Sequence, residues 1–205
     1  MSVTTLLITG FTPFGPYRYN SSQEILSPLA NREFKNFRVK TVEIPTSFEK
    51  SYLTLIQAFE TYKPAMVISF GMAAQSNVFH LEARGRNTLA LQINDEDVSR
   101  KYKIDPIEPT GPNFRYTTLK IPFFKGEKVP LRLSFDAGTY VCNYLIYTFL
   151  GYLEQTKGDN FPYGFIHIPA LPRDAASLAP PVRGMAFPTL ITEIEVVINQ
   201  ILSMD

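Results

Sequence analysis

The sequence predicts an α/β fold, in which strands and helices alternate along the chain. Short apolar runs bounded by glycine or proline are followed by longer segments of helical periodicity, and that pattern is typical of this fold class. Of the 205 residues, 45% are hydrophobic and 19% charged, which is enough apolar material for a full core. No internal repeat divides the sequence. We therefore expect one globular domain over residues 1–205.

The first half of the chain contains three predicted strands and one predicted helix. Residues 6–9 are predicted to form a strand buried on both faces, and residues 37–44 and 65–70 two further strands. Between the last two, residues 46–49 have the Thr-x-x-Glu pattern of a capping box. The apolar positions that follow have helical spacing up to residue 61, which predicts a helix packed on the sheet.

The second half of the chain continues this alternation. Residues 131–135 and 165–168 are predicted strands, and residues 141–153 a predicted helix. Residues 188–203 are predicted to form a terminal helix, with proline near its first turn.

Two connections lack sustained periodicity. Residues 94–130 are polar at first and then rich in proline and aromatic residues. Residues 174–187 include Pro180, Pro181 and Gly184. Connections of this length are usually functional lids, binding loops or irregular excursions, so we expect them to be irregular.

The charges of the chain nearly cancel. Lysine and arginine number 20 against 19 aspartates and glutamates, a formal charge of +1. Neither nucleic acid nor an anionic membrane is therefore an expected partner. The N-terminal residues lack a basic segment, and their apolar stretch is too short for export or for crossing a membrane. Together with a single cysteine, this predicts a reducing, cytoplasmic location.

Cys142 is the only cysteine, so it can form neither an internal disulfide nor a cysteine-based zinc site. Its remaining roles are packing and nucleophilic chemistry. His167, one of two histidines, lies at the end of an apolar run, where a strand could bring it to the thiol as a base. A structural role in the core is the alternative for both residues. His80 has no evident partner in the sequence, and we assign it a structural role.

A phosphate-binding loop is the competing interpretation of the glycine-rich segment after the first strand. Gly10 and Gly15 flank this segment. The third glycine and the lysine of the known phosphate-binding fingerprints are absent, so the sequence argues against this function.

Four segments, in order along almost the whole chain, resemble the pyroglutamyl peptidase I family, also called pyrrolidone carboxyl peptidases. They are Gly10-Phe11-Thr12-Pro13-Phe14-Gly15 followed by Asn20, Gly71 with Glu82 downstream, residues 137–143, and residues 165–169. The cysteine and histidine segments carry the specific part of the resemblance.

The resemblance implies a cytoplasmic cysteine peptidase that removes an N-terminal pyroglutamyl residue from peptides. It implies no metal and no cofactor. The implied fold is a single-domain, three-layer α/β/α sandwich around a mixed, mostly parallel sheet. Members of this family can form dimers and tetramers, and a homo-oligomer is a possible state of this chain that its sequence does not decide.

The resemblance also implies the roles of three residues. Cys142 is the expected nucleophile, His167 the general base, and Glu82 the carboxylate that orients the imidazole. Backbone N–H groups at the start of the helix that carries Cys142 are expected to bind the oxyanion, because they have no acceptor within the helix. The residues expected to form the pocket for the lactam ring are Phe11, Phe14, Thr46, Ile93, Tyr140 and Val141.

The chain departs from the family pattern at three places. Ala83 and Gln92 stand where arginines are expected, and Ser21 stands where a proline is expected. The missing guanidinium groups predict weakened activity, unless Arg84 or Arg86 replaces them. An altered substrate, or a non-catalytic binding role on the same fold, is the alternative function.

Overall fold

A computed structural model describes residues 4–93, 101–120, 131–158, 160–175 and 183–204, with the side chains of residues 91–93 and 101–103 outside that description. These residues form the following strands: β1 (Thr4–Phe11), β2 (Glu33–Phe34), β3 (Phe37–Ile44), β4 (Met66–Ala73), β5 (Phe79–Glu82), β6 (Arg84–Arg86), β7 (Leu89–Ile93), β8 (Lys101–Asp105), β9 (Phe114–Tyr116), β10 (Leu131–Ser134) and β11 (Tyr163–Pro169). The helices are α1 (Ser21–Glu24), α2 (Leu26–Leu29), α3 (Phe48–Tyr62), α4 (Val141–Thr156), α5 (Pro172–Ala175) and α6 (Phe187–Ile201).

A mixed, mostly parallel sheet forms the centre of the fold, with the strand order β10-β5-β11-β4-β1-β3-β2. β1 lies parallel to β3 and β4, and β11 parallel to β4. β5 is antiparallel to β11, and short β2 is antiparallel to β3. The start of β5 therefore lies at the edge of the sheet where β4 and β11 end.

Helices cover both faces of this sheet, which confirms the predicted α/β/α class. Along β1, Leu6 and Ile8 face the layer of α1, α2 and α6, while Leu7 and Phe11 face the layer of α3 and α4. All four side chains are almost fully buried. Each such burial stabilises the fold by about 1.5–3 kcal/mol, so apolar contact holds both helical layers to the sheet.

The predicted bounds agree with the structure to within a few residues. The strand predicted over residues 37–44 coincides with β3, and the helix predicted over residues 141–153 is α4, three residues longer. The strand predicted over residues 6–9 extends in both directions, because its flanking residues also pair with β3.

The predicted capping box at the start of α3 is wrong. Ser47 is the N-cap residue, and its side chain makes no capping hydrogen bond. The Thr46 hydroxyl instead donates to the backbone oxygen of Thr12 at 2.7 Å. Thr46 therefore joins the ends of β1 and β3, and tertiary contact has replaced the local cap.

The first predicted irregular connection contains regular structure. β8 pairs with β7 and β9 with β6, both antiparallel, while residues 94–100 and 121–130 lie outside the described residues. In the second connection, residues 176–182 are likewise outside the description. Among the helices that the structure describes, none is long and apolar enough to cross a membrane.

Candidate active site

Cys142 and His167 lie at the edge of the sheet where the central parallel strands end. His167 is near the end of β11, and Cys142 is the second residue of α4. The carboxyl ends of parallel strands are the usual place for a site in α/β sheets. The two residues that the sequence singles out are thus carried to one edge by separate elements.

Glu82 contacts His167 because β5 runs antiparallel to β11. His80 is paired with His167, and Glu82 lies two residues further along the same strand, so its side chain points to the same face of the sheet. The Oε1 atom of Glu82 is 2.7 Å from Nδ1 of His167. Glu82 is 1% exposed, so this contact is shielded from water. A carboxylate at Nδ1 fixes the orientation of the imidazole and leaves Nε2 free to take up and give up a proton.

The electrostatics of the site favour a protonated imidazole. Burial lowers the pKa of His167, but interactions with Cys142 and with the Glu82 carboxylate outweigh burial and raise that pKa well above its usual range. An imidazolium beside a cysteine is the charge state that accompanies a thiolate nucleophile. Cys142 itself is partly exposed, so a substrate can reach its sulfur.

The first turn of α4 supplies backbone donors beside Cys142. Tyr140 is an N-cap residue with an extended backbone and no side-chain cap, and the first intrahelical bond runs from Tyr144 N to Tyr140 O at 3.1 Å. The N–H groups of Val141, Cys142 and Asn143 therefore have no acceptor within the helix. At the positive end of the helix, these groups can stabilise an oxyanion that forms next to the sulfur.

Asn143 anchors this helix end to the neighbouring β6 segment. Its Oδ1 accepts a hydrogen bond from Arg86 N at 2.8 Å, and its Nδ2 donates to Arg86 O at 2.9 Å and Thr88 O at 2.7 Å. The side chain is completely buried. All three bonds are to backbone atoms, so Asn143 fixes the position of Cys142 relative to the sheet edge.

Gly71 on β4 leaves room for the imidazole. A Cβ atom at this position would lie 2.8 Å from the Phe165 ring and 3.1 Å from Cδ2 of His167. The Phe165 and His167 rings also touch edge to face, with centroids 4.9 Å apart. A side chain at residue 71 would therefore move both rings.

We predict that Gly71→Ala lowers kcat by about 100-fold, because a displacement of roughly 1 Å at a catalytic group has effects of that size. Steady-state kinetics should be compared with the melting temperature of the same variant. A folded variant with much reduced kcat is the expected result. Turnover within twofold of the unsubstituted protein would contradict the packing argument.

A mostly apolar pocket opens beside Cys142. Its lining residues are Phe11, Phe14, Asn20, Thr46, Met72, Tyr140 and Cys142. Aromatic side chains form part of its walls, and the free space between them is small, about 20 Å³. No aspartate, glutamate, lysine or arginine is among these lining residues, so a neutral group is the expected occupant.

Hydrogen bonds hold the polar wall of this pocket in place. Thr12 Oγ1 accepts from Thr46 N at 3.0 Å, and Thr12 O accepts from both Thr46 Oγ1 and Asn20 Nδ2. Asn20 is also the N-cap of α1, because its Oδ1 accepts from Ser22 N. The loop after β1 is therefore fixed at both ends.

Four of the six residues predicted for the pocket line it, namely Phe11, Phe14, Thr46 and Tyr140. Val141 is buried in the apolar cluster that α3 and α4 share and is not among the lining residues, so its place in the pocket stays a prediction. Ile93 belongs to β7, but its side chain lies outside the described part of the chain. The sequence interpretation did not assign Asn20 and Met72 to the pocket. Asn20 follows the glycine-phenylalanine segment directly, and that proximity is the signal that could have identified it.

The two nearby arginines are engaged away from Glu82. Arg84 donates to the backbone oxygen of Phe135 and lies over the Phe114 ring at 3.9 Å. Arg86 pairs with Asp136 at 2.9 Å. The suggestion that either guanidinium replaces a missing family arginine is therefore unsupported by their contacts. Glu82 Oε2 has no hydrogen-bond partner among the described residues, and the Gln92 side chain lies outside them.

Comparison with known proteins adds independent findings. The family model described as pyroglutamyl peptidase matches residues 4–204. A pyrrolidone-carboxylate peptidase of Brevibacillus brevis is 35% identical, over 98% of this chain and 94% of the relative. Another, from Photorhabdus laumondii, is 34% identical over 97% and 91% of the two chains.

Solved structures resemble the fold over nearly its full length. Pyroglutamyl peptidase I from Bacillus amyloliquefaciens superposes with a TM-score of 0.83 at 25% identity, over 98% of this chain and 96% of that one. Pyrrolidone carboxyl peptidase from Thermococcus litoralis gives 0.82 at 26% identity, over 98% and 94%.

Proposed function

Because this chain belongs to the pyroglutamyl peptidase family, we propose that it is a cysteine peptidase that removes N-terminal pyroglutamate from peptides. The observation that carries this proposal is the buried 2.7 Å contact between Glu82 and His167, at the sheet edge where α4 presents Cys142. The cytoplasm is the proposed location and a pyroglutamyl peptide the proposed substrate. Among the described residues, no cluster of His, Cys, Asp and Glu could hold a metal.

The proposed first step forms an acyl-enzyme. His167 holds the proton that Cys142 has given up, and the thiolate sulfur attacks the carbonyl carbon that joins pyroglutamate to the next residue. The carbonyl oxygen becomes an oxyanion, which the free N–H groups of the α4 first turn stabilise. As the C–N bond breaks, the imidazolium gives its proton to the departing amine. A thioester between pyroglutamate and Cys142 remains.

The proposed second step hydrolyses this thioester. A water molecule enters the position that the departed peptide has left, and neutral His167 takes one of its protons. The resulting hydroxide attacks the thioester carbon, and the same backbone donors stabilise the second oxyanion. The C–S bond then breaks, free pyroglutamate leaves, and His167 and Cys142 return to their starting state.

The pocket provides the proposed selectivity for a cyclised N-terminus. The lactam is neutral and flat, which suits the Phe11 and Phe14 walls. An ordinary N-terminus carries a positive charge, and moving it into this pocket without an acidic partner is unfavourable. The same argument disfavours N-terminal proline, which has a ring of the same size but a charged nitrogen.

We predict that purified protein hydrolyses pyroglutamyl-7-amido-4-methylcoumarin and cleaves the prolyl analogue with at least about 100-fold lower kcat/KM. Fluorescence release measures both rates, and 2-pyrrolidone should protect the enzyme from alkylation by iodoacetamide. A folded protein without pyroglutamyl hydrolysis would instead favour the alternative, a non-catalytic member of the family.

A further inference from the structure

A second and larger cavity lies on the other side of Phe14. It is broadly open to solvent and has a volume of about 520 Å³, and its lining residues are Phe14, Tyr17, Ala73, Ala74, Gln75, Ser76 and His80. Phe14 lines both this cavity and the pocket beside Cys142. The two spaces therefore adjoin at Phe14.

The strand register places this second cavity on the imidazole side of the site. His80 is paired with His167 across β5 and β11, and Ala73 is paired with Pro169 across β4 and β11. The cavity thus continues the sheet edge at which the proposed reaction takes place. The proton that the departing amine needs comes from His167, so the peptide beyond the broken bond must lie near the imidazole.

We propose that this cavity binds the side chain of the residue that follows pyroglutamate, and that it favours large uncharged side chains, aromatic ones above all. This inference rests on the proposed function, because it assumes that the pyroglutamyl ring occupies the pocket beside Cys142. Tyr17 and Phe14 provide the aromatic walls, with ring centroids 5.1 Å apart. Aromatic side chains pack well against such a pair.

Ser76 and His80 are the hydrogen-bonded polar residues of the cavity. Ser76 Oγ donates to Val78 O at 2.8 Å, accepts from Val78 N at 3.1 Å, and lies 3.2 Å from His80 Nε2. His80 is itself one of the lining residues. Burial lowers the pKa of His80. The charges of His167 and Arg132 also lower it, whereas the Glu82 carboxylate raises it without reversing the shift.

This arrangement also argues against charged occupants. None of the lining residues is an aspartate, glutamate, lysine or arginine. A charged side chain would therefore gain no ion pair from the lining residues, whereas an aromatic one gains ring contacts. A tyrosine, in contrast, can stack on the aromatic wall and place its hydroxyl near His80 or Gln75.

The test compares two capped substrates, pyroglutamyl-tyrosinamide and pyroglutamyl-glycinamide, which differ only in the side chain in question. We expect the protein to prefer the tyrosinamide. Tyr17→Ala and His80→Ala should each lower kcat/KM for the tyrosinamide by about 10-fold and change the glycinamide value less than about threefold. Tyr116→Ala, at an exposed tyrosine outside the cavity, is the matched control and should alter neither value.

The outcomes separate this inference from the proposed function. If both variants leave the ratio of kcat/KM between the tyrosinamide and the glycinamide unchanged, the inference is wrong, while pyroglutamyl hydrolysis stands. Failure of the unsubstituted protein to cleave either substrate would overturn the proposed function, and the inference with it. Measuring Tyr17→Ala beside His80→Ala guards against an indirect effect of His80 on the neighbouring His167.

Discussion

Replacement of Cys142 with serine is expected to lower kcat by at least about 1,000-fold, because a hydroxyl is far harder to ionise than a thiol and no other cysteine can substitute for it. The side chain is only partly buried and close in size to serine, so the fold should persist. Initial rates with the fluorogenic pyroglutamyl substrate, together with circular dichroism and the melting temperature, measure both effects.

Chemical modification provides an independent check on the same residue. With a single thiol in the chain, iodoacetamide should add one carbamidomethyl group and abolish turnover in parallel. Mass spectrometry gives the extent of alkylation for each measured rate. If fully alkylated protein keeps its activity, the nucleophile is not Cys142 and the proposed thioester does not form.

The sequence predicts the fold class well because hydrophobic periodicity is a local property. β3 and α4 are recognisable from their own residues, and their apolar positions are buried against the two helical layers as the pattern requires. Pairing between strands that are distant in the sequence cannot be read from such local patterns. Nothing in residues 79–82 indicates that β5 inserts beside β11 in the antiparallel direction.

This antiparallel pairing is what brings the site together. Glu82 and His167 are 85 positions apart in the chain, and the contact between them depends on the register of β5 against β11. Family resemblance rather than spacing therefore pointed to Glu82. The same pairing puts His80 next to His167, although the sequence offered no partner for it.

The predicted capping box shows how a tertiary contact overrides a local pattern. Thr46 is predicted to cap α3, yet its hydroxyl donates to the backbone oxygen of Thr12. The tertiary contact prevails because it satisfies a polar group between the ends of β1 and β3.

Glu82→Gln is expected to lower kcat/KM by about 100-fold near neutral pH and to move the alkaline limb of the pH profile to lower pH. The carboxylate is one of the interactions that raise the pKa of His167, so removing its negative charge lowers that pKa. Turnover that depends on the protonated imidazole is then lost at a lower pH, by about one unit or more. A matched control is Glu33→Gln, since Glu33 is exposed and pairs only with surface Arg38 among the described residues.

The decreases in turnover of two Glu82 variants distinguish the effect of the carboxylate's charge from its effect on the orientation of His167. The glutamine oxygen can still accept a hydrogen bond from Nδ1 of His167, so Glu82→Gln removes the charge and retains the orienting contact. Glu82→Ala removes both, and it should lower kcat further and also lower the melting temperature, because the buried imidazole loses its partner. Rates from about pH 6 to 10 for the two variants and for Glu33→Gln show which of the two roles Glu82 has. An alkaline limb that stays where it is in Glu82→Gln would show that Glu82 does not set the protonation of His167. The orienting role would then be all that the 2.7 Å contact provides.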